Sequence, residues 1–157
     1  MEEKLTHRFW DTFSGSCDLA VLEGINGRGY EEGRRCLGQI EAFFSGLSVT
    51  DEETRHGIRW TITSCTLTLA QIKGRDVLEC EEIFARLSQL GFPDIVTRAE
   101  RTGSHARYLL RNGHKEQALH YLEPLVQDLN AALSAGHQES FHNAREAMLS
   151  MAAECRR

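Results

Sequence analysis

The chain has 157 residues, 41% hydrophobic and 26% charged, with two prolines and a net charge of −5. That length and composition fit one globular domain, expected to span residues 1–157, and exclude a disordered or loop-rich chain. The acidic balance, with pI near 5.8, excludes a general nucleic-acid role, because phosphate binding needs a concentrated basic surface.

The first helix is read from Leu5, Phe9, Phe13, Cys17 and Ala20, with Ser14-Gly15-Ser16 as a point of interruption and residues 24–29 as a glycine-rich loop. A second stripe follows in Tyr30, Gly33, Leu37, Ile40, Phe44 and Leu47, and a third in Ile58, Ile62, Cys65, Leu69 and Ile72. Steps of three and four residues are what one buried helix face requires. Thr50 followed by Glu53 reads as a capping box at the start of the third helix. Thr61, Ile62, Thr63 and Thr66 are β-branched and favour a strand, but the length of the stripe favours a helix.

Cys80, Phe84, Leu87 and Leu90 mark the fourth helix, closed by Gly91, and Pro93 stands where a first helical residue belongs. Ile95, Ala99, Thr102, Ala106 and Leu109 mark the fifth, which ends on Asn112-Gly113. The sixth is apolar over a wide arc through Ala118, Leu119, Leu122, Leu125, Val126, Leu129 and Leu133, and Pro124 predicts a kink or a break in it. The last helix uses Phe141, Ala144, Met148, Ala152 and Cys155. Short connections make consecutive helices antiparallel neighbours.

Residues 99–133 resemble a tetratricopeptide-repeat hairpin, with small Ala106 and large Leu109 on one helix, Gly113 at the turn, and Ala118 and Leu122 on the next. Weaker echoes at residues 29–37 and 73–84 place second-helix starts near residues 30, 76 and 114, spaced unevenly and by more than the family's period of ~34 residues. The resemblance implies an all-α fold of antiparallel helical hairpins, about seven helices in a right-handed array with a C-terminal capping helix; a closed helical bundle is the alternative. It also implies a concave binding face on the fifth helix at Glu100, Gly103, Arg107, Leu110 and Arg111. Arg107 and Arg111 lie one turn apart, a spacing suited to gripping a carboxylate. Thr61, Ser64, Thr68 and Gln71 form a second candidate stripe on the third helix. Small acidic three-repeat chaperones of bacterial secretion systems, built from such repeats, are similar in length and plan.

Catalytic signals are weaker. Glu53-x-x-His56 and Glu139-x-x-His142 supply half of a di-metal bundle site, but both sit at helix starts outside the apolar stripes, and pairs at this spacing arise readily by chance. Gly27-x-Gly29 lacks the strand that a dinucleotide loop needs. Cys65, Cys80 and Cys155 fall on apolar stripes as core residues, and Cys17, Cys36, Cys65, Cys80 and Cys155 contain no C-x-x-C pair. His105, His114 and His120 are assigned to turn and surface positions, and Trp10, Trp60 and Tyr108 to packing. The start of the chain lacks the pattern of a secretory signal, and no apolar run approaches a membrane span. The sequence therefore predicts a cytoplasmic, non-catalytic module that binds a protein or peptide partner, an acidic one at the arginines. It uses no cofactor, metal, nucleic acid or membrane. The alternatives are a self-associating homodimer, closed by the apolar last helix, and a metal- or small-molecule-dependent enzyme.

Overall fold

The apolar stripes become seven α-helices in the computed structural model, which describes residues 2–136 and 139–157, with side chains described from Thr6 onward. They are α1 (Glu2–Glu23), α2 (Tyr30–Ser45), α3 (Glu52–Ile72), α4 (Val77–Leu90), α5 (Ile95–Arg111), α6 (Lys115–Ser134) and α7 (Glu139–Cys155). The described residues contain no strand, and none of their helices is long and apolar enough to cross a membrane. The starts of α2, α4 and α6, at Tyr30, Val77 and Lys115, lie within one residue of the starts expected at 30, 76 and 114.

Local chemistry explains most boundaries. The α5 terminus closes at Asn112-Gly113: Gly113 has φ of 83°, its N–H donates to Leu110 O at 3.1 Å, and the His114 N–H donates to Leu109 O at 2.9 Å. This crossed pair of bonds satisfies two carbonyls that the helix end would otherwise strand. Gly91 closes α4 with φ of 84°.

Two starts differ from expectation. Asp51, not Thr50, caps α3, accepting from the Thr54 N–H at 2.8 Å. Thr50 is buried and its hydroxyl donates to Phe44 O at 2.8 Å, so it fastens the α2–α3 connection. Asp94 caps α5, accepting from the Thr97 N–H at 2.7 Å, which leaves Pro93 outside the helix.

Helix propensity is overridden in three places. Ser14-Gly15-Ser16 does not interrupt α1, which continues into one π-helical turn at Gly24–Arg28. In α3, Thr61, Thr63, Thr66 and Thr68 donate their hydroxyls to Gly57, Arg59, Ile62 and Ser64 carbonyls; this back-bonding gives the β-branched run a helical hydrogen-bond partner at each turn. Pro124 leaves α6 unbroken, and it lies on the exposed side, as does His120, whose carbonyl loses the N–H four residues on.

The helices divide into two compact units, Met1–Leu90 and Gly91–Arg157. In the first, Phe13, Cys17, Ala20, Leu37, Phe44, Ile58 and Ile62 form the core where α1, α2 and α3 meet. Phe44 lies edge-on to Phe9 and Phe13 at ring-centroid separations of 5.4 and 5.3 Å, a favourable quadrupole arrangement. Trp10 and Trp60 are half-buried, and Trp10 packs against this core. The close crossing of α1, α2 and α3 depends on Gly33, where a Cβ would stand 2.6 Å from Leu69 Cδ2 and 3.1 Å from the Gly24 Cα. Ile72, expected on the α3 stripe, ends the helix 54% exposed, since the buried face has already turned away.

The second unit packs α5, α6 and α7 against one another, burying Ala106, Leu109, Leu122, Leu125, Leu129, Met148 and Met151. On α7, Met148, Met151, Ala152 and Cys155 are buried, while Phe141 and Ala144 are half-buried.

Candidate binding cleft of the N-terminal unit

Helix α3 packs on α2 along one side and on α4 along the other. Between the two flanking helices a cleft of about 190 Å³ opens over α3. Arg34, Gly38 and Glu41 of α2 form one wall at i, i+4 and i+7, Ile62, Thr63 and Thr66 of α3 form the floor, and Ile83 and Arg86 of α4 form the other wall. The apolar lining residues, Ile62 of the floor and Ile83 of the α4 wall, are buried in the core, which holds the base of the cleft in place. Gly38 has no neighbour where a Cβ would stand, and the cleft stays open on that side.

Charge sets the character of this cleft. Arg34 and Arg86 are exposed and make no ion pair among the described residues, whereas nearby arginines are occupied. Arg35 grips Glu32 through two bonds of 2.8 and 2.6 Å, Arg28 meets Glu23 at 3.2 Å, and Arg75 donates to Glu79 at 2.9 Å. Thr63 and Thr66 have committed their protons to the α3 backbone, so their oxygens face a ligand as acceptors. The cleft therefore offers two cationic donors at its rim, two hydroxyl acceptors on its floor and one carboxylate, Glu41. An acidic side chain on a peptide backbone complements that set: its carboxylate meets a guanidinium and its N–H groups meet the oxygens.

A cluster at one end of α2 fixes that helix relative to α4. The Tyr30 hydroxyl donates to Glu79 Oε1 at 2.9 Å, Arg75 lies 4.7 Å from the centroid of the Tyr30 ring, and Arg75 also approaches Glu31 at 3.9 Å. Burial, then the hydrogen bond to Glu79, pushes the Tyr30 pKa up to about 12. Burial opposes ionisation of Glu79, but the bonds from Arg75 and Tyr30 prevail and hold its carboxyl below the usual range. Arg34 adds a favourable field to both groups.

The residues singled out in the sequence lie elsewhere. Glu100, Arg107 and Arg111 are exposed on α5 and Leu110 is half-buried, so the two arginines share an open face. Gly103 is not open: a Cβ there would stand 2.6 Å from Met148 Cε, because α7 covers this part of α5. His105, assigned to the surface, is fully buried, stacked on Tyr108 at 6.1 Å and edge-on to Tyr121 at 5.5 Å. Helix α5 contacts both α6 and α7, so it buries a wider arc than one stripe.

On α3, Ser64 is buried, while Thr61, Thr68 and Gln71 are half-buried, and both threonine hydroxyls bond their own helix. The α3 and α5 candidates belong to different units. The ring of His56 is engaged at the end of α4, its Nε2 lying 3.0 Å from Leu90 O; no three metal-ligating side chains converge among the described residues. Arg34 and Arg86 had no signal in the sequence, since only the fold brings them to one cleft. No match to the chain was found among family models, curated proteins or solved structures.

Proposed function

We propose that this chain is a non-catalytic binding module that docks an acidic stretch of a protein or peptide partner in the α2–α3–α4 cleft. The observation that carries this reading is the pair of exposed, unpaired guanidiniums, Arg34 and Arg86, on opposite walls of a cleft floored by hydroxyl acceptors. Its volume suits one or two side chains rather than a small-molecule ligand, for which pockets run to roughly 300 Å³ or more. The lining contains no histidine or cysteine, and the module is read as a receptor in a hairpin array of the tetratricopeptide kind. Second helices starting at Tyr30, Val77 and Lys115 support the helical hairpins of that reading. The five thiols suit a reducing compartment such as the cytoplasm.

Selection from a random peptide display library tests the reading. Binders are expected to be rich in Asp and Glu, to weaken as salt rises and to be lost when Arg34→Glu and Arg86→Glu are combined. Neutral or basic binders, or binders indifferent to that double reversal, would overturn it.

A further inference from the structure

Glu41 is the one acidic residue lining the α2–α3–α4 cleft. It is half-buried and pairs with no cation among the described residues, whereas the other carboxylates of α2, Glu31 and Glu32, face Arg75 and Arg35. Along α2 it stands seven residues beyond Arg34, which is roughly two turns and about 10 Å on the same face of the helix. Between them lies Gly38, with open space where a Cβ would stand, so a bound chain can approach the helix backbone there. One wall therefore carries a cation and an anion at a fixed spacing, with the second cation, Arg86, on the wall opposite.

Resting on the docking of an acidic segment in this cleft, we propose that Glu41 sets the partner's register: it selects a lysine or arginine three residues from the acidic side chain that meets Arg34, the segment lying along α2 in a polyproline II conformation. In that conformation residues i and i+3 share one edge about 9 Å apart, which matches the spacing of Arg34 and Glu41. Its backbone makes no hydrogen bonds of its own, so its N–H groups are left for the Thr63 and Thr66 oxygens on the floor. A β-strand points residues i and i+3 to opposite faces, and an α-helix, about 10 Å across with its side chains, is too thick for a cleft of about 190 Å³. An uninterrupted acidic run is rejected, because it sets a carboxylate against Glu41, and like charges held together exclude the wrong partner.

The test is display selection from a library with a fixed glutamate flanked by randomised positions, run on the full-length wild type, Glu41→Gln and Glu41→Lys, with circular dichroism confirming that each is helical. Expected on the wild type is enrichment of lysine and arginine three residues from the fixed glutamate. That enrichment should vanish on Glu41→Gln and give way to aspartate and glutamate on Glu41→Lys; the isosteric Glu41→Gln decides alone should Glu41→Lys fail to fold. For a selected peptide followed by fluorescence polarisation, replacing the lysine by glutamate should weaken binding to the wild type roughly threefold or more and strengthen binding to Glu41→Lys. Peptides that are lost on Arg34→Glu with Arg86→Glu yet show no basic preference, or keep it on Glu41→Gln, would overturn this inference and leave the cleft reading standing. Enrichment at a seven-residue spacing instead would mean a helical ligand and overturn it as well. Binders indifferent to the double reversal would overturn both.

Discussion

The Tyr30–Glu79 bond shows how much one residue carries in this fold, since it joins the start of α2 to the first turn of α4, the two helices that flank α3. Replacing Tyr30 by Phe removes the hydroxyl and leaves a half-buried carboxylate with one donor fewer, so stability should fall by about 0.5–1.5 kcal/mol in a denaturant titration. The pH dependence has a defined sign. Tyr30 holds its proton more tightly folded than unfolded, so its contribution is complete below pH 10 and is lost as pH rises from 10 to about 12. Glu79 holds its proton less tightly when folded, so its contribution is present above its unfolded pKa and disappears as pH falls through the folded one. The alkaline loss should shrink in Tyr30→Phe; an unchanged profile would assign it to other groups. Gly33 and Gly103 make a second contrast. At Gly103 the obstructing atom is the tip of Met148, a flexible side chain, and Gly103→Ala should be near neutral because alanine gains about 1 kcal/mol of helix propensity. At Gly33 the Gly24 backbone also stands in the way, so Gly33→Ala should cost roughly 1–3 kcal/mol.

Among the elements, α6 is the one at odds with its own sequence. It runs unbroken past Pro124, sustained by the burial of Leu122, Leu125 and Leu129 rather than by propensity. Pro124→Ala restores a backbone donor on the exposed side and should raise stability by about 1–3 kcal/mol, less a few tenths for the freer unfolded chain. A loss on thermal melting would mean that the proline is needed for the packing of α6. The caps offer the reverse case, because Asp51→Ala and Asp94→Ala should each cost about 1 kcal/mol. Thr50, the cap read from sequence, is instead a buried hydroxyl, and the reason is spatial. Asp51 is one residue nearer the first turn, and the Thr50 hydroxyl turns back to Phe44 O in the last turn of α2.

Across the whole molecule, what is legible in the sequence is what depends on near neighbours along the chain. The stripes of α1 to α7, the Asn112-Gly113 turn and the hairpin starts are all local patterns. The burial of His105 is not, since it requires α6 and α7 to close on α5 from two directions. The cleft is illegible for the same reason. Arg34 and Arg86 are ordinary surface arginines in the sequence, and they stand apart from Arg28, Arg35 and Arg75 because those three form ion pairs with Glu23, Glu32 and Glu79, whereas among the described residues Arg34 acts on Glu79 only through its longer-range field. On a chain of net charge −5, unpaired cations facing one another across a cleft are a local reversal of sign, and such reversals attract oppositely charged partners. The most direct test is the affinity of a display-selected acidic peptide, measured by calorimetry on the wild type and on two charge-reversed proteins. The account predicts a loss of about tenfold or more for Arg34→Glu with Arg86→Glu, and no loss for Arg107→Glu with Arg111→Glu. Equal affinity in all three, or a loss confined to the Arg107 and Arg111 pair, would contradict it.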